Sequence, residues 1–381
     1  MLNLDQIEKD TGYLGEREWI DPASASTSTH HFTTDHVLYS KLRPNLNKVV
    51  CPEDSGICTT ELIRLKPDPK RLNRRFLTYF LRSEYFMGLA RQVVAGAKMP
   101  RMVMDRFWEF EIPLPPHPEQ YRIVEILDQA DTLRRQRREV DEVSERILPA
   151  LFQEMFGDAQ TETIKAAKCL GDYITESNYG LSAKADEDAS GIPILRMNNV
   201  TYEGHLDLKS LKYLPPQTPN LKKSMLQKGD LLFNRTNSRE LVGKTALWGP
   251  DISAVAASYL IVFRVNETKL LPEFVWAYMN SLFFKDLLLN TARKAIGMAN
   301  INSREIAAFP IWTPPLERQM KFREALQGIE KSRQNQSASA AALETLFQTL
   351  LHRAFDGSLT VKWREGQGKE LLQEMEHHSK R

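Results

Sequence analysis

Short apolar runs and long amphipathic stretches follow one another in the same order twice along this chain. Val37-Leu-Tyr and Leu62-Ile-Arg-Leu carry the alternation and flanking turn residues of strands. Arg74 to Arg91 places Phe76, Leu77, Phe80, Leu81 and Leu89 at helical spacing. In the second half, Ile192-Pro-Ile-Leu, Asp230-Leu-Leu-Phe and Tyr259 to Arg264 predict strands, and Phe274 to Leu289 predicts the matching helix. A loop with glycine and small residues follows each helix, Gly96-Ala-Lys-Met-Pro and Gly297-Met-Ala-Asn. Then come two proline clusters, Pro113, Pro115, Pro116 and Pro118, and Pro310, Pro314 and Pro315. They fix φ and stop a helix from running backward, so a new helix is predicted after each.

Those two helices are long. From Glu119 to Phe156 an apolar stripe holds Ile123, Ile126, Leu127 and Ala130, then Val140, Val143, Ile147 and Leu151. At about 1.5 Å per residue it would span roughly 57 Å. Arg134-Arg135-Gln-Arg137-Arg138 interrupts the stripe, and Pro149 predicts a kink near its end. The second stretch, Glu317 to Phe355, has no proline and is rich in alanine. Stripes this narrow need a partner helix. Each is the other's natural partner, and a twofold repeat makes the pair antiparallel.

The repeat is explicit in the residues. Phe110-Glu-Ile-Pro-Leu-Pro115-Pro116-His-Pro-Glu-Gln120 returns as Phe309-Pro-Ile-Trp-Thr-Pro314-Pro315-Leu-Glu-Arg-Gln319 at an offset of 199. Cys58-Thr-Thr-Glu-Leu-Ile63 returns as Ala256-Ala-Ser-Tyr-Leu-Ile261 at 198, and Val37 to Lys41 as Leu231 to Arg235 at 194. Solenoid repeats have periods of about 20–50 residues, so this is a duplication of whole domains. The expected fold is α/β (α+β), two duplicated domains joined by a pair of long antiparallel helices in a coiled coil. The expected segments are a first domain over 1–112, a hinge and helix over 113–158, and a second domain over 159–309. A second hinge and helix over 310–357 and a tail over 358–381 complete the chain. Such a protein suits a ligand with two comparable halves, such as duplex DNA.

Composition sharpens this. An apolar fraction of 42% and a charged fraction of 26% over 381 residues are those of a globular protein with two cores. The opening Met1-Leu-Asn-Leu-Asp-Gln is not that of a signal peptide, and no apolar run approaches a membrane span. Three cysteines (Cys51, Cys58, Cys169) without a tight pair fit a reducing cytoplasm, the expected location. The net charge of +2 conceals a gradient, because residues 41–106 hold 14 Lys/Arg against 6 Asp/Glu. Residues 209–248 hold 8 against 2, while the segment 119–146 holds 6 against 8. Basic charge is therefore confined to the two domains, where phosphate contacts would need it.

Enzyme motifs are weak. The Asn/Asp-Pro-Pro-aromatic tetrapeptide that holds a flipped adenine does not occur, and both hinge Pro-Pro pairs lack it. No glycine-rich phosphate loop ending in Lys-Ser/Thr occurs, and the histidines show no ligand spacing. Asp251 with Glu267 and Lys269 superficially matches a metal-dependent nuclease, but the repeat-mate Pro69-Lys-Arg71 carries no carboxylate. Two alternatives stay open beside DNA recognition: an interaction scaffold that does not read DNA, and a stand-alone Mg-dependent nuclease.

Taken with their order, four features resemble the specificity subunit of type I restriction–modification enzymes. They are the paired hinges (Pro113 to Gln120, Thr313 to Gln319) and the strand-and-basic-loop segments (Val37 to Lys48, Gly229 to Asn237). The others are Gly56 to Pro67 and the C-terminal Ala354-Phe-Asp-Gly-Ser-Leu-Thr360. The likeness covers nearly the whole chain. It implies two target-recognition domains, each reading half of a bipartite double-stranded DNA sequence. Partners would be two modification (methyltransferase) subunits on the helices and the restriction (translocase/nuclease) subunits. S-adenosylmethionine, ATP and Mg would be used by those partners, with no cofactor or metal bound here and no catalytic residue.

Arg and Lys suit guanine or phosphate, and Asn suits adenine. Candidate DNA contacts are therefore Lys41, Arg43, Lys48, Lys98 and Arg101 in the first domain. In the second they are Asn234, Arg235, Asn237, Arg239, Lys244, Lys294, Asn300 and Asn302. Candidate subunit-docking positions are Ile123, Ile126, Leu127, Leu151, Leu326, Leu343 and Leu350. The helices are expected to act as a ruler for the spacer between half-sites.

The repeat fails in one place. Met1-Leu-Asn-Leu is the nearest counterpart of Ile194-Leu-Arg-Met, so the Cys169 to Gly180 stretch of the second domain has no mate in the first. The first domain is accordingly expected to be incomplete, short of a strand and less stable.

Overall fold

The structure, a computed structural model, describes residues 1–16, 19, 29–96, 98–166, 168–238, 241–292 and 299–366. It divides into two units, Met1–Glu139 with Ser337–Arg381, and Val140–Gln336. The division departs from the consecutive segments expected from sequence. The hinge-and-helix stretches do not stand apart; each unit takes the first part of one long helix and the last part of the other. The reason is burial, since a one-faced helix is stable only where its stripe meets a core.

In unit 1, strand Val37–Ser40 lies between Val49–Val50 and Leu62–Leu65, antiparallel to both. Val37, Tyr39 and Val49 point into a cluster with Leu77, Phe80 and Phe86. A second small sheet pairs Thr29–Phe32 with Gly56–Thr59. The helix predicted over Arg74 to Arg91 is two helices, Arg74–Arg82 and Glu84–Gln92. They break at Ser83, whose extended backbone ends the first and whose Oγ accepts the Phe86 N–H to cap the second. The 117–139 stretch runs antiparallel to the 337–355 stretch. Arg134 reaches Glu344 and lies over the Phe347 ring, while Glu119, further back, meets Thr360 and Arg364. Ile123, Val124 and Leu127 pack there in one cluster with Phe347, Leu351 and Ala354.

Unit 2 repeats the plan with additions. Its main sheet has the order Thr245–Leu247, Leu231–Asn234, Leu260–Val265, Ile174–Tyr179. The first three strands match the three of unit 1, and the fourth has no counterpart among the described residues of unit 1. Ile192–Leu195 pairs in parallel with Val255–Ala256 and antiparallel with Lys212–Leu214. Pro272–Met279 and Leu282–Ala292 form the helix pair, with Ser281 Oγ accepting the Phe284 N–H as Ser83 does for Phe86. Phe152 and Phe156 meet Phe322 of the second long helix.

The first long helix is expected to kink at Pro149. It runs over His117–Ser144 and resumes over Ile147–Phe156, so the break precedes the proline. A proline ring clashes with the carbonyl four residues back, here Glu145, and offers it no N–H. The second, Leu316–Phe355, is continuous as predicted.

The correspondence at the start of the repeat holds. Leu2 bridges Cys58 in parallel as Leu195 pairs with Ala256, and Ile7 bridges Leu14 as Val200 bridges Leu206. The Asn3 N–H donates to Gln6 Oε1, as the Arg196 N–H does to Asn199 Oδ1. The outer edge of Leu62–Leu65 carries no strand among the described residues, where Leu260–Val265 carries Ile174–Tyr179.

Candidate nucleic-acid interface

In each unit the basic loop after the central strand meets the end of the glycine-bearing loop, forming a short antiparallel ribbon. In unit 2, Thr236–Asn237 pairs with Ala299–Asn300, and the Ile301 N–H donates to Arg235 O at 2.9 Å. In unit 1, Leu42 bridges Arg101, and the Met102 N–H donates to Lys41 O at 2.8 Å. Segments far apart in sequence, chosen for their Lys, Arg and Asn, thus come together. A two-stranded ribbon is narrow enough to enter a DNA groove.

The unit 1 ribbon carries Arg43 and Lys98 exposed and Lys41 half-buried. Arg43 sits at a positive φ of 49°, unusual for a side chain of its size, and its N–H is held by Pro100 O at 2.7 Å. Arg101 is exposed and ion-paired with Glu61 at 2.9 Å. In unit 2 the Arg235 guanidinium lies 4.8 Å from the centre of the Tyr179 ring, while its Nε is buried without a hydrogen-bond partner. Tyr179, half-exposed, also accepts the Ser303 N–H. A guanidinium held over an aromatic face by cation–π attraction can still present N–H groups to an acceptor. Asn237 is half-buried and accepts the Ser238 N–H, Asn300 accepts from Thr236 Oγ1, and Asn302 caps the helix Ser303–Ala308.

Other candidates are placed elsewhere. Lys48 donates to Leu4 O at 2.6 Å, and Lys244 donates to Met197 O at 2.9 Å and to Val200 O. These lysines occupy matching places after the central strand, each holding the short helical turn that follows the opening strand. Burial lowers the Lys244 ammonium from its ordinary value. They are structural cations, a role that charge alone does not distinguish from phosphate binding. Asn234 is fully buried, with its amide toward Leu241 O, and cannot reach a base. Arg239 and Lys294 lie outside the described residues.

Of the docking candidates, Ile123, Leu127 and Leu326 are buried within their own units. Ile126, Leu151, Leu343 and Leu350 are half-buried. Exposed apolar residues of the long helices include instead Leu133, Val140, Val143, Ile147 and Leu346, with Tyr121, Leu316 and Met320 nearer the hinges. The helical period identified the stripe but not which members the partner helix covers.

Asp251 pairs with Lys228 and Glu267 with Arg323, so the nuclease-like carboxylates are tied to separate cations. Among the described residues no group of three or more His, Cys, Asp or Glu is placed to hold a metal ion, and no helix is long and apolar enough to cross a membrane.

Comparison with known proteins agrees with this architecture. The family model for the type I restriction modification DNA specificity domain matches residues 40–141 and 168–344, well over half the chain. The chain belongs to that family. It is 27% identical over 326 residues to the EcoKI specificity subunit of Escherichia coli K12, covering 79% of this chain and 68% of that one. It is 23% identical over 322 residues to the StySPI specificity subunit of Salmonella potsdam, with the same coverage. In fold it resembles a chain solved in work on assembly and conformational transition of the type I R-M system (TM-score 0.57, 18% identity), covering 94% of this chain and 91% of that one. It also resembles the type I S subunit from M. genitalium (TM-score 0.51, 14% identity; 93% and 91% covered).

Proposed function

We propose that this chain gives a type I restriction–modification complex its DNA address, each unit reading one half of a two-part target through its ribbon. The observation that carries this is the duplicated ribbon itself. Two compact units bring the same two segments together, with Arg43 and Lys98 on one and Arg235, over the Tyr179 ring, on the other. The Arg235 edge suits the O6/N7 pair of a guanine or a phosphate.

Docking of modification subunits is assigned to the exposed helix residues Leu133, Val140, Val143, Ile147 and Leu346 rather than to the buried stripe. Catalysis, with S-adenosylmethionine, ATP and Mg²⁺, is assigned to the partners, none of these binding here. The test is DNA binding by the complex across a salt series. Sequence-dependent affinity that weakens for specific sites in Arg43→Ala or Arg235→Ala supports the proposal. Binding that ignores sequence, or none at any salt, leaves a scaffold that does not read DNA.

A further inference from the structure

Each unit meets its own long helix at two points, one at the hinge and one further along. In unit 1 the turn between the bridged residues Ile7 and Leu14 carries Tyr13, whose hydroxyl donates to Asp131 Oδ1 at 2.8 Å. The Arg135 guanidinium lies 4.5 Å from the centre of the Tyr13 ring. Asp131 is buried and also accepts from Arg134 and Arg135. In unit 2 the matching turn, between Val200 and Leu206, carries His205. Arg333 donates to its ring, and Glu145 and Glu330 stand 3.8 and 4.0 Å from it.

The helix side of these joints repeats as closely as the hinges do. Asp131 and Glu330, Arg134 and Arg333, and Glu145 and Glu344 are repeat-mates at the offset of 199. Arg134 reaches Glu344 on the facing helix, as Arg333 reaches Glu145. On the turn side, a glycine at positive φ stands before each joint residue, Gly12 at 64° and Gly204 at 86°. A Cβ on Gly12 would strike Val49 O, and one on Gly204 would strike Thr245 O, so each turn lies flat on matching strands. Tyr13 and His205 differ in chemistry but occupy one built position.

Hydrogen bonds tie each turn to its ribbon. Lys48 Nζ holds Leu4 O, and Lys48 O accepts the N–H of Ser40, beside Lys41. Lys244 Nζ holds Val200 O, and Lys244 O accepts the N–H of Asn234, beside Arg235. At the hinge, Gln120 accepts the Asn73 N–H and Gln319 the Leu271 N–H. Asp131 and Glu330 each lie eleven residues beyond these glutamines, or about 16 Å at about 1.5 Å per residue. One attachment leaves a domain free to swing, whereas two that far apart fix its angle. A domain of this size is about 30 Å across. A swing of about 7° therefore carries its far side by about 3.4 Å, one base-pair step.

We propose that Tyr13 and His205 are positioning residues that set where each ribbon meets DNA, and with it the length of the unread spacer. This rests on the DNA-reading proposal above, and adds that the helices measure the spacer only through these joints. Neither residue touches a base, so the identity of each half-site does not depend on them.

The test is binding of the complex with its modification subunits to three duplexes. Each carries the motif mapped by methylation, with the spacer native, one base pair shorter or one longer. Hydrogen exchange first confirms that both units of each variant are folded. Wild type should prefer the native spacer by about tenfold or more, and Tyr13→Phe and His205→Ala should each cut that preference at least about threefold. His205→Gln should restore it, because its amide oxygen accepts from Arg333. Discrimination against a base change in either half should stay at the wild-type level. Tyr13→Phe keeps the ring under Arg135 and spares the fold, so the idea stands or falls even if His205→Ala unfolds unit 2. It is overturned in the unit concerned by an unchanged spacer preference, or by affinity lost equally from all three duplexes, which marks a contact that only stabilises. Relaxed base discrimination overturns it as well. A wild-type complex indifferent to base changes and spacer alike would instead sink the DNA-reading proposal on which it rests.

Discussion

The side-chain carbonyl of Gln319 accepts the backbone N–H of Leu271 at 2.8 Å, joining the start of the second long helix to the residue before Pro272–Met279. Gln319 Nε2 donates to Pro314 O and Lys269 O. Gln120 makes the same three bonds in unit 1, to the Asn73 N–H, Pro115 O and Arg71 O. Both are fully buried. The invariant end of the hinge motif is thus a side-chain clamp between helix and domain. Gln120→Leu or Gln319→Leu strands buried backbone groups and should cost about 2–4 kcal/mol in the unit that holds it. Native-state hydrogen exchange reads this unit by unit; equal losses in both units would contradict the assignment.

The interlaced units predict an asymmetric truncation. Removing residues 337–381 takes Phe347, Leu351 and Ala354 from the unit 1 core, along with Thr360 and Arg364 from buried Glu119. Unit 2 keeps every member of its main cluster. Calorimetry should show the unit 1 transition lowered or lost and the unit 2 transition little changed. Two unchanged transitions would restore the consecutive division.

His205 gives unit 2 an acid limit. Burial chiefly, then the Arg333 guanidinium that donates to its ring, lowers it to about 4 from 6.5, with Glu203 opposing and Lys285 adding to the fall. Glu145 and Glu330 stand near it at 3.8 and 4.0 Å. The folded ring stays neutral while the unfolded one takes up a proton. Its contribution is thus intact above about pH 6.5, declines as pH falls, and is gone below about 4, reaching about 3 kcal/mol. Burial pushes Glu330 up, which acts in the opposite sense, so the readout is wild type minus His205→Gln. That difference should slope only between about pH 4 and 6.5. A flat difference would contradict it.

The two structural lysines separate from the ribbon cations by salt. Lys48→Met and Lys244→Met should lower unit stability and leave the salt slope of DNA binding unchanged. Arg43→Ala and Arg235→Ala should leave stability nearly intact, and removal of one phosphate-binding cation should reduce the slope by about 1. Reversed effects would return Lys48 and Lys244 to the DNA face.

Much of this architecture was legible in the chain, because duplication let weak signals reinforce one another. The strands Val37–Ser40 and Leu62–Leu65, the hinge-initiated helices and the correspondence of Leu2 with Leu195 follow from pattern and repeat alone. The splits at Ser83 and Ser281 were missed because a serine cap is a local hydrogen bond inside an uninterrupted apolar period. The interlacing of the helices was missed because periodicity marks an apolar face without naming what covers it. At the ribbon, residue type picked out Arg43 and Arg235 but also Lys48, Lys244 and Asn234. Only packing separates a cation spent on carbonyls from one left to a ligand. Tyr179, over whose ring Arg235 lies, falls in the Cys169 to Gly180 stretch, where the repeat offers no mate to reinforce its signal.

The most direct test of DNA reading is a map of methylated bases in cells that express this chain with its modification subunit, for wild type and Arg235→Ala. The account predicts one two-part motif in wild type, with a fixed unread spacer. It predicts a motif relaxed in one half alone for the variant, the other half and the spacer unchanged. A motif independent of this chain, or one relaxed equally in both halves by Arg235→Ala, would contradict it.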